Sequence, residues 1–140
     1  MTLKTYSGSC HCGAVHFEAD IDISRGTLKC NCSSCTKARS WLVFATSDHF
    51  GLIEGADAQG LYQWTPSGRT EPNFEFHFCK TCGVRTPARG VLEAMGGAFH
   101  AVQVNLLDNI DADELAEAPI QYVDGRHDHF DRAPDDTRLM

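Results

Sequence analysis

Seven cysteines in 140 residues fall without remainder into three short clusters, and this spacing limits the fold more than any other feature. Cys10-His11-Cys12 is a C-x-C, Cys30-Asn31-Cys32-Ser33-Ser34-Cys35 a C-x-C-x-x-C, and Cys79-Lys80-Thr81-Cys82 a C-x-x-C followed by Gly83. Each is a chelate spacing. In extended backbone, residues i and i+2 point the same way, so a C-x-C can offer two sulfurs to one ion. A C-x-x-C brings two sulfurs together around a tight turn, and Gly83 permits the positive φ that such a turn often needs. An odd count cannot pair off completely as disulfides.

Seven thiolates divide as four plus three. A closed four-sulfur site is structural; a three-sulfur site keeps a coordination position open. The central cluster supplies three sulfurs alone: Cys30, Cys32 and Cys35. Cys10, Cys12, Cys79 and Cys82 then close the other site, a metal cross-link between distant parts of the chain. Ligand type and this arithmetic favour zinc, two per chain, with the open site the more labile. Other readings stay open at this level: a thioredoxin-like redox pair at Cys79–Cys82, an iron–sulfur cluster, or a second site completed by His11 or another histidine.

The rest of the chain reads as a single domain over residues 1–130 with a polar tail over 131–140. Short alternating or apolar runs at 15–23, 41–45, 50–54, 61–65, 74–79 and 120–123 predict strands. Residues 99–107 predict one long strand with His100, Val102, Val104 and Leu106 on one face. Residues 111–117 predict a helix whose acidic start suits the helix dipole and which Pro119 stops. The chain is therefore expected to be mainly β, with one or two short helices. A net charge of −7, with 19 acidic against 12 basic side chains and no basic run, argues against nucleic-acid partners and anionic membranes. The N-terminal stretch has no apolar signal-peptide core and no segment is long enough to span a membrane, so a cytoplasmic location with reduced thiols is expected.

Gly8-Ser9-Cys10-His11-Cys12-Gly13-Ala14-Val15, the central C-x-C-x-x-C and Phe78-Cys79-Lys80-Thr81-Cys82-Gly83 together resemble the glutathione-dependent formaldehyde-activating enzyme family, which also includes centromere protein V. Asn105-Leu106-Leu107-Asp108 and Tyr122-Val123-Asp124-Gly125 resemble weaker family features, so the likeness runs from about Tyr6 to about Gly125. It implies a β-tent fold of small antiparallel sheets built around a structural zinc on Cys10, Cys12, Cys79 and Cys82, with a second zinc on Cys30, Cys32 and Cys35. It also implies carbon–sulfur lyase chemistry, in which glutathione and formaldehyde combine reversibly to S-hydroxymethylglutathione at the open site. The expected partners are therefore a small thiol such as glutathione and a small aldehyde or thiol adduct. The alternative is a non-catalytic, zinc-stabilised module that binds a protein or small ligand.

Among other residues, Asn31, Ser33 and Ser34 read first as turn formers. Arg39, Arg69, Arg85 and Arg89 read as surface charges able to grip a carboxylate, and Trp41 and Trp64 as packing residues able to wall a pocket. Arg126-His127-Asp128-His129 reads as an exposed polar loop, with a proton shuttle or fourth ligand at His127 as the sharper alternative. His77 reads as a packed strand histidine.

Overall fold

The computed structural model describes residues 3–72 and 74–140; Met1 and Thr2 of the N-terminal stretch lie outside them. Ten strands and two six-residue helices follow one another, with short 3₁₀ turns between: β1 (Lys4–Ser9), β2 (His16–Ile21), β3 (Thr27–Cys30), α1 (Ser33–Ala38), β4 (Leu42–Thr46), β5 (Phe50–Glu54), β6 (Gln59–Tyr62), β7 (Glu75–Cys79), β8 (Arg85–Leu92), β9 (Gly97–Gln103), α2 (Ala112–Glu117) and β10 (Ile120–Val123). The protein is mainly β, as its alternating runs indicate, and has the β-tent arrangement of two packed sheets.

The smaller sheet has the order β1-β2-β5 and the larger β10-β3-β4-β9-β8-β7-β6. Tyr6, Phe17, Ala19 and Ile21 of the first pack against Val43, Ala45 and Val102 from the second and Val104 just after it, and this apolar layer is the main core. The alternation on β2 explains its place: Phe17, Ala19 and Ile21 are buried while His16 and Glu18 face out. Tyr6 is buried and its hydroxyl bonds Glu114 of α2, which pins that helix to the small sheet. Asp111 caps α2 by accepting from the Asp113 N–H at 3.1 Å.

Among the departures from the sequence reading, the expected 61–65 strand is instead β6, Gln59–Tyr62, and two others bear on the site. The 99–107 segment is not one strand: β9 ends at Gln103 and Val104–Leu106 forms a 3₁₀ turn. Its partner β4 begins at Leu42, opposite Gln103, so the ladder has run out. The Val104 N–H instead donates to the Trp41 carbonyl at 2.8 Å, and the turn buries Val104, Leu106 and Leu107 together, which a strand would divide between two faces. Second, β10 pairs parallel with β3, within otherwise antiparallel sheets. Its register sets Val123 beside Cys30 and so delivers Asp124 and Gly125 to the central cysteine cluster.

Strand β8 carries Pro87 although it lies between β7 and β9, where a missing N–H would normally break the ladder. The register shift of β7 between Glu75 and His77 falls opposite it. His77 is packed in its strand as expected, half-buried with Nδ1 3.2 Å from the Pro87 carbonyl. His100 on β9 stacks on Phe50 at 3.8 Å, and burial, aided by Arg89, lowers its pKa to about 4.

Gly55, just after β5, joins the small sheet to the first cysteine turn. It has φ +92°, and a Cβ there would lie 2.1 Å from the Ala14 carbonyl oxygen and 2.8 Å from Val15 Cα. Both neighbours are backbone and cannot move aside cheaply. Gly55→Ala is therefore expected to cost about 2 kcal/mol or more of unfolding free energy, from strain and overpacking together. Urea unfolding of the two proteins measures it, and a loss below about 0.5 kcal/mol, the scale of neutral surface changes, would contradict the packing described.

Candidate metal centre

Cys10 and Cys12 lie in the β1–β2 turn, and Cys79 and Cys82 in the β7–β8 turn. The two turns share one design. The Cys10 N–H donates to the Val15 carbonyl and the Cys79 N–H to the Val84 carbonyl, at 3.1 and 2.9 Å. Glycine closes each: Gly13 and Gly83 have φ of +82° and +76°, and their N–H groups donate to the Cys10 and Cys79 carbonyls. The expected role of Gly83 is thus met. The Cys10–Cys12 pair, however, converges around a turn and not along extended backbone, because the chain must reverse there to start β2.

The four sulfurs all lie within 4.8 Å of one another. Cys10 and Cys12 Sγ are 3.7 Å apart, and Cys12 and Cys79 Sγ 3.6 Å. A tetrahedral zinc with bonds of about 2.3 Å requires sulfurs about 3.8 Å apart, so the four residues fit the ion. Cys10 and Cys79 are buried with Val15 as a small second core, while Cys12 is exposed. N–H groups also solvate the sulfurs. Val15 donates to Cys10 Sγ at 3.3 Å, and the N–H groups of Cys12 and Val84 pull the Cys82 thiol down to about 6. Such donors are what a thiolate cluster of net negative charge needs.

The second cluster sits where β3 passes into α1. Cys30 ends the strand, Cys32 is the helix N-cap and Cys35 lies in the first turn, and their sulfurs fall within 4.8 Å of one another. Among the described residues no histidine joins either group, His11 and His127 included. The Cys32 and Cys35 N–H groups donate to the sulfurs of Cys30 and Cys32 at 3.4 and 3.3 Å. Hydrogen bonds from Cys30 and Cys35 push the Cys32 thiol far down, while those with Cys30 and Cys32 push Cys35 far up. Three crowded sulfurs thus share one easy ionisation, and a cation is what would let all three carry charge.

The linker of this cluster is clamped by the segment after β10. Asn31 Nδ2 donates to Asp124 Oδ1 at 2.9 Å, the Arg126 N–H donates to Asn31 Oδ1 at 2.9 Å, and Arg126 Nε donates to the Asn31 carbonyl at 3.2 Å. Asn31 is therefore more than a turn former. Gly125 crosses the sulfurs so closely that a Cβ there would lie 2.3 Å from Cys30 Sγ. His127 is exposed, in keeping with the loop reading, yet anchored: Nδ1 lies 2.8 Å from buried Asp124. A carboxylate only accepts, so Nδ1 carries the proton and Nε2 is the free atom.

A cavity of about 200 Å³ opens against Cys30 and Cys35. Lys29, Arg39, Ser40, Trp41 and Asn105 line it, with Leu139 and Met140 at its edge. Lys29 Nζ lies 4.9 Å from the Trp41 ring centroid, and Arg39 Nη1 donates to the Leu139 carbonyl at 3.2 Å, which draws the 131–140 segment back over the domain. Of the other arginines, Arg69 pairs with Asp128 at 2.8 Å and Arg89 lies across from His100. Ser33 is exposed, and Ser34 Oγ accepts from Arg85 at 3.3 Å. Sequence reasoning gave no site role to Lys29, nor to Asp124 and Gly125, which it noted only as a weak family feature; the parallel β3–β10 pairing brings the latter two to the cluster. No described helix is long and apolar enough to cross a membrane.

Three comparisons bear on this arrangement. A family model described as glutathione-dependent formaldehyde-activating enzyme matches residues 5–124. A Halomonas elongata protein named "Putative glutathione-dependent formaldehyde-activating enzyme" is 35% identical over 79 residues, 54% of this chain and 50% of that protein. The chain thus matches about half the length of that relative. The crystal structure of a Rhodobacter sphaeroides protein aligns with a TM-score of 0.64 at 28% identity, over 82% of this chain and 99% of that one.

The Asp124 clamp predicts a pH signature. The bond from Asn31, helped by His127, holds this carboxyl below its ordinary value of 3.8. A depressed carboxyl contributes stability above its unfolded pKa and loses it as pH falls through the folded one. The stability gap between the native protein and Asp124→Asn should be full near about pH 6 and shrink below about pH 4. Denaturant unfolding at several pH values checks it; a gap that stays constant would contradict the charged clamp.

Proposed function

This chain belongs to the glutathione-dependent formaldehyde-activating enzyme family, and we propose that it is a zinc-dependent carbon–sulfur lyase acting on the adduct of a small thiol with a small aldehyde. Glutathione and formaldehyde are the pair its family suggests. The observation that carries this reading is the cavity where Cys30 and Cys35, two of the three gathered cysteines, meet Lys29 and Arg39 with no acidic side chain among the lining residues.

Cys10, Cys12, Cys79 and Cys82 would hold a closed structural zinc, and Cys30, Cys32 and Cys35 a second zinc with one position open. When bound there, zinc supplies a cation that lowers the pKa of a thiol brought to the open position. The protein's own residues supply the rest. Lys29 and Arg39 attract an anionic thiol such as a peptide with free carboxylates. In the forward direction a carbon–sulfur bond forms as the aldehyde C=O opens, and the thiol proton ends on the new hydroxyl. Ser40 is placed to help. Its Oγ accepts from Gln103 Nε2 at 3.2 Å, which leaves its own O–H free to donate to the developing oxygen. Asn105 offers a second neutral donor on the same wall. The clamp from Asp124 and Arg126 keeps the Cys30–Cys32 linker rigid while this happens.

Two cysteine variants separate the sites. Cys32→Ser should keep the fold but lose about a hundredfold or more in the rate of S-hydroxymethylglutathione formation. Cys79→Ser should lose the fold itself, because it removes a ligand buried in the second small core. Nuclear magnetic resonance of the adduct, with circular dichroism of each variant, measures both. A Cys32→Ser protein that keeps its rate would sink the lyase reading and favour the non-catalytic binding module.

A further inference from the structure

The larger cavity of the protein is not the one at the sulfurs. About 600 Å³ in volume, it lies on the other side of α1, between that helix and the β6–β7–β8 end of the large sheet. The helix has two faces at the usual i, i+3, i+4 spacing. Ser33, Ser34 and Lys37 look into this cavity, while Cys35 and Thr36 line the smaller one. No cysteine lines the larger space, so the reaction described above makes no use of it.

Its chemistry is nonetheless specific. Lys37 and Arg85 both line it, with no acidic side chain among the lining residues. Neither cation has a carboxylate partner among the described residues, in a chain of net charge −7 where partners abound. Arg85 is held ready: its guanidinium stacks 4.4 Å from the Phe76 ring centroid, and Nη1 donates to Ser34 Oγ at 3.3 Å. The third group is Trp64, whose indole Nε1 is buried with no acceptor among the described residues. The contrast with Trp41 is direct, since Trp41 Nε1 donates to Thr27 Oγ1 at 2.7 Å. A buried, unmatched donor is costly, and Trp64 is one of the residues that line this cavity. Tyr62, Trp64 and Phe78 form the apolar remainder of the wall.

We propose that this cavity is a second ligand site, separate from the cysteine cluster, that takes a small carboxylate with a flat apolar body. Lys37 and Arg85 neutralise the carboxylate, the Trp64 N–H donates to one of its oxygens, and the body lies against Tyr62, Trp64 and Phe78. The volume suits such a molecule, since small-ligand sites run from about 300 to 1,000 Å³. The inference does not depend on the lyase reading, because none of its residues belongs to the cysteine sites.

The two tryptophans of the chain each line a different cavity, and so provide separate reporters. The experiment titrates benzoate into ¹⁵N-labelled, zinc-loaded protein and follows both indole N–H signals, with Trp64→Phe used only to assign them. The Trp64 signal should shift saturably while that of Trp41 stays in place. Benzamide, the uncharged counterpart, and the exposed-site variant Lys37→Gln should each bind about tenfold more weakly or worse. Arg85→Gln should do the same; if it proves unstable, Lys37→Gln alone decides. A Trp64 signal that never saturates, a shift at Trp41 in its place, or equal affinity for benzoate and benzamide would each overturn the proposal.

Discussion

The structure hangs on the convergence of two hairpin turns at one point. The β1–β2 turn belongs to the small sheet and the β7–β8 turn to the large one, yet their four sulfurs lie within 4.8 Å of one another. Everything nearby serves that meeting. Val15 and Val84 receive the turn hydrogen bonds and pack on the cysteines, and Gly55 lets backbone touch backbone beneath them. Four thiolates that close could not all be charged without a cation, because their mutual repulsion in a half-buried site is too large. A metal tie there would hold the sheets together from one end, while the apolar layer between them holds the rest.

With that end fixed, the central cysteine cluster is free to do something else. It stands at the switch from β3 to α1, and the parallel strand β10 lays Asp124 and Gly125 across it. The short helix then divides two cavities of like sign. Both are lined by lysine and arginine with no acidic side chain among the lining residues, in an otherwise acidic protein. Local potential, not net charge, selects what enters a cleft, so a net negative charge is compatible with binding small anions.

Much of this was legible in the chain. The cysteine spacings marked both clusters, since chelation by neighbouring residues is a local property. Strands β5 and β10 were readable to the residue, and β2, β7 and α2 nearly so, because a face buried on one side writes its period into the sequence. Strand β8 was not readable: Arg85-Thr86-Pro87-Ala88-Arg89-Gly90 shows no period and has Thr86 as its one β-former, and Pro87 sits where the register against β7 shifts. Helix α1 was hidden for a related reason. Six residues starting on a cysteine cap have no amphipathic pattern to show. Residues that reach a site through long-range pairing, such as Asp124 just after β10, carry no local sign of what they will touch.

The central claim is that seven sulfurs form one closed and one open site. Native mass spectrometry of the purified protein during a glutathione titration tests it most directly. The account predicts two zinc ions per chain, with glutathione adding to, or removing, one of them and leaving the other in place. A single zinc indifferent to glutathione, or two zincs that respond alike, would contradict it.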